Sequence, residues 1–77
     1  MQLEIEKTII NLELGESNPN ELGKTVATLI IKYEKNQNKT QQQYETLRKL
    51  TSSYVNKYGM DMWDNCVKKE YYIQQVF

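Results

Sequence analysis

The sequence predicts an all-α fold, a small bundle of three to four helices in a single domain over residues 1–77. Three observations predict it. Two helix-start signatures stand at Asn18-Pro19-Asn20-Glu21 and Thr40-Gln41-Gln42-Gln43; each pairs a side-chain acceptor with Glu or Gln three residues on, satisfying N–H groups that a first turn leaves unpaired. Apolar residues after each signature recur at spacings of three and four, the period of one helix face. Finally, no segment offers a second strand for a sheet, and an isolated strand or hairpin is not stable alone.

Residues 2–14 are the ambiguous element. On a helix at about 100° per residue, Leu3, Ile10 and Leu14 share one face while Ile5, Ile9 and Leu12 share nearly the opposite one. Extended chain is the second reading, favoured by the β-branched run Thr8-Ile9-Ile10. Helix is preferred because such a strand has no partner. Gly15-Glu16-Ser17 reads as a loop.

The next helix spans 19–36, with Asn18 as N-cap and Pro19 at its first position, where a missing N–H costs nothing. Leu22, Val26, Leu29 and Tyr33 form its main stripe with Ile30 beside it. Ala27 and Ile31 widen that stripe enough for two neighbours. A third helix spans 41–58, with Tyr44, Leu47, Thr51, Tyr54, Val55 and Tyr58 on one face and Gly59 as its stop. Asp61 is then expected to cap a last helix over 62–75. Met60, Trp63, Val67 and Tyr71 give it a core stripe, and Met62, Cys66, Ile73 and Phe77 a second, offset one.

Composition excludes several chemistries. The chain has one cysteine and no histidine, which rules out an intramolecular disulfide, a Cys/His zinc site and a Cys–His nucleophile pair. Gly23-Lys24-Thr25 has the ending of a phosphate-binding loop, but Asn18 stands where that loop needs its first glycine and the triplet lies within a helix. Asp61 and Asp64 read as first-turn residues suited to a helix dipole rather than as catalytic carboxylates. No serine, lysine or tyrosine has an identifiable base partner, so the expectation is a non-enzyme without cofactor or metal. There is no signal-peptide pattern and no apolar run near the ~20 residues that span a bilayer. A cytoplasmic protein without membrane contact is expected.

Ten basic and ten acidic residues balance, yet they are unevenly placed. Residues 1–21 carry one lysine against five glutamates, residues 22–57 seven bases against two glutamates, and residues 58–77 two lysines against three acids. The basic middle yields one candidate surface: Lys24, Lys32, Lys35, Lys39, Arg48 and Lys49, suited to phosphate contacts. The other candidate is the surplus on the last helix. With one stripe in the core, Met62, Cys66, Tyr72, Ile73 and Phe77 remain, and clustered methionine and aromatic side chains at a surface mark protein interfaces.

The functional expectation is therefore a small non-catalytic protein-binding module using that second stripe. The abundance of Asn, Lys, Ile and Tyr with a single alanine fits an AT-rich gene. With the short length it suggests a phage or mobile-element accessory protein, an inhibitor or adaptor that redirects a larger bacterial host protein. A nucleic-acid-binding regulator using the basic face is the second reading. A homo-oligomer is a further one, since pairing through the stripe would enlarge a marginal core.

Overall fold

The computed structural model describes residues 1–15 and 18–76. The sequence expectations for Glu16, Ser17 and Phe77 lie outside the described residues. The protein is an all-α bundle: α1 (Gln2–Leu14), α2 (Pro19–Lys35), α3 (Gln41–Tyr58), and a C-terminal helix in three continuous parts. These are α4 (Met60–Met62), a π-helical stretch (Trp63–Lys68) and α5 (Lys69–Val76). No strand occurs among the described residues.

The helix starts follow the capping logic. Asn18 Oδ1 accepts from the Glu21 N–H at 2.8 Å, with Pro19 opening the helix. At Thr40 the box closes in both directions: Gln43 N–H donates to Thr40 Oγ1 and Thr40 N–H to Gln43 Oε1. The first segment is a helix because Ile5, Thr8, Ile9 and Leu12 bury one face of it. Within its β-branched run, Thr8 Oγ1 donates to the Glu4 carbonyl at 2.8 Å, a back-bond open to helical threonine. Gly15 ends α1 in the left-handed region at φ 70°, which costs glycine nothing. The Lys57 ammonium on α3 donates to the Leu12 carbonyl, satisfying an end group of α1 and matching its dipole.

Helix α2 is central. It packs against α1, α3 and the C-terminal helix, burying Leu22, Val26, Ala27 and Leu29, so its broad apolar surface serves several neighbours rather than one. In α3 the buried set is Leu47, Leu50 and Tyr54. The expected face was therefore rotated slightly too far: Leu50 is fully buried, whereas Tyr44 is exposed. Tyr54 is the centre of the aromatic packing, with its ring edge-on to Tyr58 and Trp63 at 5.0 and 5.9 Å. Its hydroxyl donates to the Pro19 carbonyl at 2.8 Å. Burial first, then the neighbouring Cys66, pushes the Tyr54 phenol pKa up.

The last helix departs from its expected start. Gly59 is its N-cap, at φ 93°, and it begins at Met60. Asp61 is not the cap: it sits within the first turn, and no side-chain bond closes that end. Met60, expected in the core stripe, is 57% exposed. Beginning the helix one residue before Asp61 places Met60 at its outer corner.

Charge ties α1 to α2. Lys32 Nζ lies 3.0 Å from Glu4 Oε2, the one ion pair among the described residues. That hydrogen bond, reinforced by the lysine charge, lowers the Glu4 pKa. A depressed carboxyl pKa stabilises the fold above the unfolded-state value, and the contribution is lost as pH falls through the folded one. Both partners are about half exposed, so solvent keeps the effect small. In Lys32→Met, a side-chain NMR titration of Glu4 is expected to return to the ordinary carboxylate range. An unchanged titration would show that the pair does not form in solution.

Candidate protein-binding groove

The residues singled out on the last helix divide between interior and surface. A π-helical stretch lies near the start of this helix. There the Lys69 N–H reaches the Asp64 carbonyl, five residues back. A π-turn inserts one extra residue into the turn, and such insertions are frequent at functional sites. Cys66 and Val67, within this stretch, are both buried in the core. Cys66 is a correction: at 8% exposure it is buried rather than part of a surface patch. Its thiol donates to Asn20 Oδ1 at 3.0 Å. The wall it packs on is Gly23, where an added Cβ would stand only 2.7 Å from the Cys66 Cβ. Met62 is half-buried against the core. The surface positions are Tyr72 and Ile73, 56% and 42% exposed, with Val76 exposed beyond them.

This geometry leaves a groove of about 380 Å³ between α2 and the π-turn. Val67 and Ile30 lie along its lining, Trp63 and Tyr71 wall it, and Met60 and Tyr72 stand at its exposed edges. Trp63 is fixed from behind by Tyr54. Tyr71 is fixed by its hydroxyl, which lies 2.7 and 2.9 Å from the two Glu34 carboxylate oxygens. That hydrogen bond, ahead of burial, raises the Tyr71 pKa, so the phenol is held as a neutral donor. Tyr71 and Tyr72 meet edge-on at 5.6 Å. Glu34, Asp64 and Lys68 supply the groove's charge. Periodicity found Tyr72 but assigned Trp63 and Tyr71 wholly to the core; both are only half-buried.

The basic residues border different clefts and rings. Lys32 is paired with Glu4 and, with Lys35, borders a cleft shared with Met1 and Gln74. Lys49 lies on a different cleft, opposite Glu6 and Glu13 of α1. Lys39 and Arg48 sit over the rings of Tyr33 and Tyr44 at 5.7 and 5.9 Å. Those rings are themselves 6.4 Å apart, so this pair braces the corner between α2 and α3. Lys24 is exposed on the first half of α2. A further apolar row, Leu3, Ile10 and Leu14, is exposed on the outer face of α1.

No group of acidic and cysteine side chains able to hold a metal occurs among the described residues, and no helix there is long and apolar enough to cross a membrane. Compared with known proteins, the chain matches no family model, no curated protein and no solved structure.

Proposed function

We propose that this protein is a small non-catalytic protein-binding module that docks on a larger protein through the groove beside its C-terminal helix. One observation carries the reading: outside the buried core, the C-terminal helix keeps Met60, Tyr72, Ile73 and Val76 exposed, and Met60 and Tyr72 line an aromatic groove. Fully burying an apolar side chain of this size is worth about 1.5–3 kcal/mol. Leaving four of them outward forfeits that gain unless a partner covers them. A larger bacterial protein, inhibited or redirected by a phage or mobile-element accessory factor, is the partner class that the chain's composition and size suggest.

Tyr72→Asp with Ile73→Asp tests this. The double variant is expected to keep its helical circular dichroism and cooperative melting, because both side chains lie outside the core. It is also expected to lose the protein that the wild-type chain retains from bacterial lysate, identified by mass spectrometry. A folded double variant that retains the same protein would place the interface elsewhere. Sedimentation of the free chain separates docking on another protein from self-association through the same surface.

A further inference from the structure

We infer that the groove takes an arginine side chain, presented by a short segment of the partner protein with apolar residues on either side. The inference deepens the docking reading above and rests on it. Its basis is the pairing of rings with carboxylates in one cleft. Trp63, Tyr71 and Tyr72 supply aromatic surface, and Glu34 and Asp64 supply negative charge. Neither carboxylate is in an ion pair among the described residues: Glu34 is met only by the Tyr71 hydroxyl, and the single pair is Lys32–Glu4.

A carboxylate beside an aromatic wall suits a cation that can stack on the ring and hydrogen-bond at its edge. The planar guanidinium does both, forking onto a carboxylate with two parallel N–H donors. A lysine ammonium is a compact, strongly hydrated charge and gains less from the rings. Lys68, on the same rim, offsets part of the negative charge; it weakens a purely electrostatic attraction and leaves stacking and forked geometry as the selective features. The groove's size, about 380 Å³, lies at the small end of the range for ligand pockets. At its edges, Met60 and Tyr72 are exposed to receive the flanking apolar residues.

Trp63 is the only tryptophan in the chain and lines the groove, so its emission reads occupancy directly. The probe is acetyl-Leu-Arg-Leu-amide, titrated into the full chain while tryptophan emission and backbone amide NMR shifts are followed. The comparison probe replaces arginine with citrulline, which keeps the shape and removes the charge. The arginine peptide is expected to shift Trp63 and the amides around Glu34 and Asp64, and to bind about tenfold more tightly than the citrulline peptide, as loss of one charge-assisted pair implies. Asp64→Asn is expected to remove most of that difference at a cost of a few degrees in melting midpoint at most, since its side chain is exposed and gives up only a first-turn charge, worth about 0.3–1 kcal/mol. The citrulline comparison on the wild-type chain stands even if that variant folds poorly.

Equal binding of the two peptides overturns the arginine inference and leaves the docking reading intact. So does the absence of binding by either peptide while the Tyr72→Asp, Ile73→Asp variant still loses its partner. If neither peptide binds and the double variant keeps its partner, both readings fall.

Discussion

Replacing Tyr54 with alanine is expected to leave the protein unfolded at room temperature. A single core in a chain of this size supplies a net stability of only about 3–5 kcal/mol. Truncating a large buried aromatic costs about the same, through lost burial and the cavity left behind. Tyr54 has no exposed surface and holds three parts of the fold at once: the start of α2 through the Pro19 carbonyl, its own helix through Tyr58, and the π-turn through Trp63. Tyr54→Phe is the matched control. It keeps the ring and removes one hydrogen bond, worth about 1 kcal/mol, so it should fold and melt somewhat earlier. Circular dichroism at 222 nm distinguishes the two variants; a Tyr54→Ala chain that melts cooperatively near the wild-type midpoint would show that the aromatic cluster is dispensable.

The second large effect is expected at Gly23. Glycine inside a helix ordinarily costs about 0.5–1 kcal/mol relative to alanine, so its presence in α2 needs a compensating reason. Contact with the π-turn supplies one. A Cβ at Gly23 would stand 2.7 Å from the Cys66 Cβ and 3.1 Å from its backbone carbon, atoms that cannot swing aside as a long side chain would. Gly23→Val adds still more bulk, and is expected to cost about 2–3 kcal/mol by overpacking. For a protein of this size that lowers the melting midpoint by roughly 10 °C or more. Cys66→Ala should not rescue it, because the clash is with Cβ and backbone rather than sulfur. A Gly23→Val protein as stable as wild type would mean that the two helices can separate at no cost.

Much of the architecture was legible because it is locally encoded. Asn18 and Thr40 announce helix starts through side-chain oxygens aimed at their own first turns, so no distant residue is needed to read them. The stripe of α2 was equally clear, with Leu22, Val26 and Leu29 buried as their spacing required. Helix α1 was harder, since Leu3-Ile10-Leu14 and Ile5-Ile9-Leu12 are equally apolar and only packing decides which face turns inward. The π-turn left no trace in the pattern. Trp63-Asp64-Asn65-Cys66-Val67-Lys68 suits an ordinary helix, and the extra residue is read only from the packed backbone beside Gly23. Cys66 was expected at the surface and is found inside, while Trp63 and Tyr71 were expected inside and instead line a groove. The candidate site was thus half visible: Tyr72 and Ile73 could be named from surplus apolar residues, while Glu34 came from another helix that periodicity cannot place nearby.

The cleft at the end of α2 is lined by both Met1 and Gln74. It joins parts of the chain about 70 residues apart, so closing it carries a large loop-closure entropy and raises the contact order that slows folding.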